Sequence, residues 1–242
     1  MDKEILAVKN LSVAFDGQDV LNNVKFSVRK GEALAVIGPN GAGKSVLFRA
    51  LLGLVPYTGT IEWDKSLNIG YVPQKLLIDQ QTPITVKEFF LLRAPRFWRV
   101  PKTFIKHLSH ELSLVGLEND VLNKSLGDLS FGQLQRLLIS WAMINHPDVL
   151  LFDEPTAGID VGFAETVYTL MHRLQKERGT TILLISHDLH IVYRYANKVL
   201  CLNKEMICNG PPREVLNAKE LALLYGDGGY YEHGREGGHH VH

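Results

Sequence analysis

Ala33-Leu34-Ala35-Val36-Ile37-Gly38-Pro39-Asn40-Gly41-Ala42-Gly43-Lys44-Ser45-Val46 decides the fold. Five apolar residues without a charge read as a strand buried on both faces, the kind found in a parallel sheet. The strand runs straight into Gly38-Pro39-Asn40-Gly41-Ala42-Gly43-Lys44-Ser45, which satisfies G-x-x-x-x-G-K-[ST] at every specified position. The glycines let backbone N–H groups curl around a phosphate, and the helix that follows adds the positive potential of its N-terminus. Lys44 is placed to reach β- and γ-phosphates, and the Ser45 hydroxyl to ligate Mg²⁺. A strand before and a helix after are the context this pattern demands.

A nucleotide site of this kind needs a second strand bearing carboxylates. Val149-Leu150-Leu151-Phe152-Asp153-Glu154 supplies it. Asp153, ending a hydrophobic run, is expected to hold Mg²⁺, and Glu154 to polarise the attacking water as general base. A third apolar run, Ile182-Leu183-Leu184-Ile185, follows Gly179 and ends in Ser186-His187-Asp188. Toward the N-terminus, short β-like runs (Ile5 to Val8, Val13 to Phe15, Val24 to Val28) are punctuated by the turn signals Asp16-Gly17 and Lys30-Gly31. Between them and the carboxylate strand, the pattern is helical. Pro101 opens a helix with Phe104, Ile105, Leu108, Leu112 and Val115 on one face, and Gly116 ends it. A helical stretch of about 76–146 is thus expected as an insertion in an α/β core.

Within that stretch, Leu129-Ser130-Phe131-Gly132-Gln133 carries S-x-x-Q, a capping box at a helix start. In order with the other motifs, it resembles the LSGGQ signature of ABC ATPases, and the resemblance runs from about Ile5 to Gly210. It implies the P-loop ABC ATPase fold: a RecA-like mixed sheet, an antiparallel β subdomain and an inserted helical subdomain. The ATPase domain is then 1–225. The resemblance also implies ATP and Mg²⁺ as cofactors. ATP is held by Phe15, Gly38, Pro39, Asn40, Gly41, Ala42, Gly43, Lys44, Ser45 and Val46, with Ser130, Gly132 and Gln133 serving a second copy in an ATP-dependent head-to-tail homodimer. It assigns Mg²⁺ to Ser45, Gln74 and Asp153. Glu154, His187 and Gln74 become the catalytic set, with Phe15 stacking on adenine, Gln74 sensing the membrane partner and His187 contacting the γ-phosphate. Asp160, in Ala157-Gly158-Ile159-Asp160, looks like the D-loop aspartate that meets the opposing subunit. Two positions depart from the pattern. Phe131 replaces a glycine, and its ring is expected to pack against its own domain. Val46 lacks a usual hydroxyl, which removes a phosphate contact worth about 0.5–1.5 kcal/mol.

Composition narrows the choice among such ATPases. Lys+Arg and Asp+Glu are equal at 26 each, so no global basic field exists to hold nucleic acid. No apolar run nears the ~18 residues of a membrane span, and Met1-Asp2-Lys3-Glu4 starts no signal peptide. A cytoplasmic subunit, peripheral at the inner membrane face through a separate permease, fits these bounds. Lys75-Leu76-Leu77-Ile78-Asp79 and on to Thr85-Val86 is expected to dock that permease. Arg93 to Arg99 reads first as a solvated loop. Tyr71-Val72-Pro73-Gln74-Lys75-Leu76, Ser186-His187-Asp188-Leu189-His190 and Val199-Leu200-Cys201-Leu202-Asn203 resemble the bacterial zinc-uptake ATPases, which implies an extracytoplasmic metal-binding protein upstream. Manganese or iron-chelate import, and a low-activity regulatory ATP-binding module, stay open as alternatives. Cys201 and Cys208 read as packed strand residues. The tail, 226–242, is glycine-rich and holds His233, His239, His240 and His242. It reads either as a flexible metal-binding tract or as a solvated end.

Overall fold

The computed structural model describes residues 3–76, 83–94, 102–156 and 161–225. Two sheets organise them. The smaller is antiparallel and three-stranded, in the order β2-β1-β4, with β1 Glu4–Phe15, β2 Gln18–Arg29 and β4 Thr58–Trp63. The larger has six strands in the order β5-β6-β7-β3-β8-β9. Its members are β3 Ala33–Ile37, β5 Ile69–Val72, β6 Val149–Asp153, β7 Thr181–Ile185, β8 Lys198–Asn203 and β9 Glu205–Gly210. All pairs run parallel except β8–β9.

Each residue of β3, β6 and β7 is buried. Apart from Asp153 at the end of β6, these are uncharged runs of the sequence, and only a strand covered on both faces explains them. Helices supply the cover. On one face, α1 Lys44–Leu51 packs Leu47 and Phe48 with the antiparallel sheet and with Leu34, Val36, Leu151 and Leu183. On the other, α3 Lys102–Leu114, α4 Phe131–Met143 and α5 Val161–Arg178 bring Leu108, Leu112, Leu137, Ile139 and Val167 against Leu150, Phe152 and Leu184. The short α2, Val86–Leu91, joins the same cluster through Val86 and Phe90. A third cluster packs α6 Leu189–Tyr195, α7 Pro212–Val215 and α8 Ala218–Tyr225 near β8 and β9.

Three features differ from, or add to, the sequence reading. Runs expected as separate strands are continuous 12-residue strands. Asn10 and Asn23, at φ 50 each, absorb register shifts inside them. Such bulges break the two-residue alternation without ending the strand. Cys201 and Cys208 are packed strand residues facing each other across β8–β9, and they are joined as a disulfide with Cα atoms 4.8 Å apart. The Phe131 ring, expected to pack against its own domain, is not taken into the core: it is 41% exposed.

Candidate nucleotide site

The strand order sets the site. β6, β7 and β3 are neighbours, so their C-terminal ends deliver Asp153-Glu154, Ser186-His187 and the loop after Ile37 to one edge of the sheet. In open parallel sheets that edge is where ligands bind.

The loop holds its shape through contacts that only glycine permits. A Cβ at Gly38 would lie 2.0 Å from the Leu202 carbonyl oxygen. Gly43 caps α1 at φ 92, and a Cβ there would lie 2.6 Å from Leu21 Cδ2 and 2.8 Å from the Val20 carbonyl oxygen. Lys44 is buried, and its Nζ donates to the carbonyls of Gly38 and Pro39 at 2.9 Å each. Burial pushes its ammonium pKa down, an effect countered by the carboxylates of Glu154 and Asp153. A phosphate arriving here offers this cation better acceptors than the two carbonyls. A cavity of about 290 Å³ opens beside the loop, lined by residues 40–46 together with Val20, Gln74 and Glu154.

Two carboxylates complete the floor. Asp153 Oδ1 accepts from Ser45 Oγ at 2.9 Å, and Oδ2 from the Tyr71 hydroxyl at 3.3 Å. Burial is the largest influence on the Asp153 carboxyl and lifts its pKa, with the Ser45 bond opposing and the neighbouring Glu154 reinforcing. The paired hydroxyl and carboxylate are hard oxygen donors of the kind Mg²⁺ takes, and Gln74, whose nitrogen donates to Glu154, has a carboxamide oxygen to offer as a third. The donor set therefore suits the ion. Glu154 is held from both ends. Its Oε2 accepts from Gln74 Nε2 at 2.6 Å, and its Oε1 lies 2.7 Å from His187 Nε2, which donates in the matching tautomer. The backbone N–H of Glu154 reaches the Ile185 carbonyl, and the residue sits at φ 49. A non-glycine residue in the left-handed region costs free energy, and strain of this sort gathers at functional sites.

Other residues singled out in the sequence lie apart. Ser130 and Gln133 form the reciprocal capping box at the start of α4, with Ser130 Oγ accepting from Gln133 N at 3.2 Å and Gln133 Oε1 from Ser130 N at 3.1 Å. Neither they nor Gly132 line the cavity around Lys44. Space beside Gly132 is open, since a Cβ there would meet nothing within 4 Å. Phe15 ends β1 opposite Gln18 and is 39% exposed, outside the cavity lining. Asp160 and its loop, Leu77 to Asp79, Pro95 to Arg99 and the His-rich tail lie outside the described residues. Sequence reasoning missed Val20 and Tyr71 as parts of the site. Tyr71 was readable only in principle, from a polar hydroxyl on a strand paired with β6; Val20 left no sequence signal.

A phosphate loop, a carboxylate pair at the end of the next strand but one and a buried cation between them define a P-loop nucleotide-binding domain. Residues 21–157 match the family model for the ABC transporter domain. The zinc import ATP-binding protein ZnuC of Photorhabdus laumondii is 38% identical over 93% of this chain and 85% of its own length. The protein of the same name from Ruegeria pomeroyi is 38% identical over 94% and 86%, respectively. Among solved structures, an ATP-binding cassette of an ABC transporter in its ADP conformation superposes with a TM-score of 0.74, at 26% identity over 92% of this chain and 98% of that one. The chain belongs to the ABC transporter family, as an ATP-binding cassette. Among the described residues no helix is long and apolar enough to cross a membrane.

Proposed function

We propose that this chain is the ATP-hydrolysing subunit of an import system for zinc or a closely related divalent metal ion, and that it powers a separate membrane permease. The observation that carries the reading is near-full-length similarity to zinc import ATP-binding proteins, combined with an intact set of hydrolytic side chains around Glu154. In this reading residues 1–225 form the ATPase domain. The helical part, about 76–146, faces the permease at the inner membrane face, and 226–242 is a separate tail.

The chemistry follows from the side chains. Lys44 exchanges two carbonyl acceptors for phosphate oxygens, which favours triphosphate over water in the loop. Ser45, Asp153 and Gln74 would hold Mg²⁺, which when bound would neutralise phosphate charge. Glu154 accepts the proton of the water that attacks the γ-phosphorus as the bond to the β-phosphate oxygen breaks. Gln74 and His187 keep its carboxylate oriented meanwhile, so little reorganisation is needed at the moment of reaction. His187 Nε2–H can turn from Glu154 to a γ-phosphate oxygen. Ser130, Gly132 and Gln133 stand away from Lys44 on their own chain, so they act on the nucleotide of a second copy in a head-to-tail dimer. Phe15 lies against the adenine.

The test is co-purification of the chain with its permease, followed by ATPase assays with the extracytoplasmic binding protein loaded with zinc, manganese or an iron chelate. Stimulation by zinc above the others supports the proposal. Stimulation by manganese or iron chelate alone assigns a different cargo, and no permease association refutes the transport role.

A further inference from the structure

A second cluster of ligating side chains lies away from the nucleotide. On α3, His107 and Glu111 share one helix face, and His146 comes toward them from the turn between α4 and β6. One ring nitrogen from each histidine and one carboxylate oxygen lie within 4.8 Å of one another. The histidine rings are 4.5 Å apart between centroids.

The telling member is Glu111. Its side chain has no exposed surface, and neither carboxylate oxygen has a hydrogen-bond partner among the described residues. Its nearest cationic candidate is His107, with Nε2 3.7 Å from Oε1, beyond hydrogen-bond distance. Burial without partners makes an isolated carboxylate costly, so such groups are paired, protonated or bound to a metal. Here burial raises the carboxyl pKa, opposed by His107, Arg178 and His110. The backbone around it is firmly placed, since Ser140 Oγ on α4 donates to the Glu111 carbonyl at 2.7 Å.

We infer that His107, Glu111 and His146 form a binding site for a divalent transition-metal ion of the zinc type. Two imidazoles and one carboxylate are a common zinc donor set, with a fourth position left for water. Tetrahedral ligation at the usual bond lengths places ligand atoms about 3.4 Å apart. The cluster therefore has to close by on the order of 1 Å. That movement falls on His146, which is exposed and sits at φ 46 in its turn. His107 Nε2 is 3.0 Å from the Ile144 carbonyl and donates there in the tautomer that carries the ring proton on Nε2. A carbonyl partner of this kind fixes the tautomer of ligating histidines. Arg178, the last residue of α5, approaches His146 Nδ1 to 3.2 Å and is the competing cation. It is exposed, and free to turn into water as the metal takes its place.

The site is separate from hydrolysis. His146 precedes β6, whereas Asp153 and Glu154 lie at that strand's far end, and roughly 13 Å of extended chain separates Val149 from Asp153. Metal here ties α3 to the entry of β6, joining the helical part to the central sheet. The inference does not depend on the cargo of the transport system.

Zinc titration of the full-length, metal-stripped chain against a chromophoric chelator tests it, alongside Glu111→Gln and His146→Asn. Asparagine tolerates the left-handed backbone of position 146. The tail histidines are present in all three chains, so whatever zinc they take is a common background. The expected result is one zinc equivalent more for the parent than for either variant, or a loss of affinity of at least about 10-fold at that site. Zinc should also raise the melting temperature of the parent more than that of the variants. If Glu111→Gln does not fold, His146→Asn, at an exposed position, decides alone. Equal zinc stoichiometry and affinity in parent and His146→Asn, with equal thermal shifts, overturns the inference.

Discussion

Replacing Glu154 by glutamine separates chemistry from structure more cleanly than any other change in this chain. The carboxylate takes two short hydrogen bonds, 2.6 Å from Gln74 Nε2 and 2.7 Å from His187 Nε2. Glutamine keeps one oxygen and turns the other acceptor into a donor. If the new nitrogen faces Gln74, that amide can flip and offer its oxygen. If it faces His187, the imidazole can move its proton to Nδ1 and accept. Either repair keeps both contacts, so stability should change by no more than about 0.5–1.5 kcal/mol, the worth of one such bond. The proposed base is lost outright. Removing a positioned general base costs about 10²–10⁴-fold in turnover, or about 2.7–5.4 kcal/mol of barrier. Phosphate release at saturating ATP reads the second quantity; a fluorescent nucleotide titration and a melting curve read the first. The expected outcome is slow turnover with native binding and melting. Turnover at the parental rate would refute the role of Glu154, and loss of binding in step with turnover would make the residue structural instead.

Other changes test neighbouring parts. Lys44→Ala should abolish ATP binding in the same titration, because it removes the buried cation and frees the two loop carbonyls it ties. Gly43→Ala should also lose binding, since its Cβ meets Leu21 and the Val20 carbonyl and its φ is 92. Phe131→Gly should leave no core cavity and lower stability by only about 1 kcal/mol, the helix-propensity cost, which a denaturant melt measures. Glu111→Gln in excess chelator should stabilise the chain at neutral pH, because a neutral amide is buried at less cost than an ionised carboxylate. The sign follows from linkage. The Glu111 carboxyl pKa is raised on folding, so the native parent holds a proton the unfolded chain has released, and parent stability falls as pH rises through that window. The advantage of the glutamine variant should therefore shrink toward acid pH.

What the sequence made legible was local chemistry. Gly38 to Ser45 reads as a phosphate loop because each residue type answers to a backbone shape or a charge within eight positions. Ser130 and Gln133 announce a cap for the same reason, and the structure has it. The uncharged runs at Ala33, Val149 and Thr181 announce buried parallel strands, but not that β7 lies between β3 and β6. That order brings His187 to Glu154, and only the family resemblance linked the two in advance. Asn10 and Asn23 hid the continuity of β1 and β2, because a bulge and a turn look alike in a short window. Tyr71, Val20 and the His107–Glu111–His146 group depend on contacts between elements far apart in the chain. No periodicity reports such contacts. The exposed Phe131 ring follows the same rule, since whether a ring is covered depends on which neighbour stands there.

In the proposed function, ATP hydrolysis at Glu154 drives metal entry. Zinc uptake by cells carrying this chain as the sole ATPase of its transport system, with the parent or Glu154→Gln at equal membrane-associated amounts, tests it most directly. Rapid uptake is expected with the parent and near-background uptake with the variant, although the variant still binds ATP. Zinc entry at the parental rate with Glu154→Gln in place would contradict it.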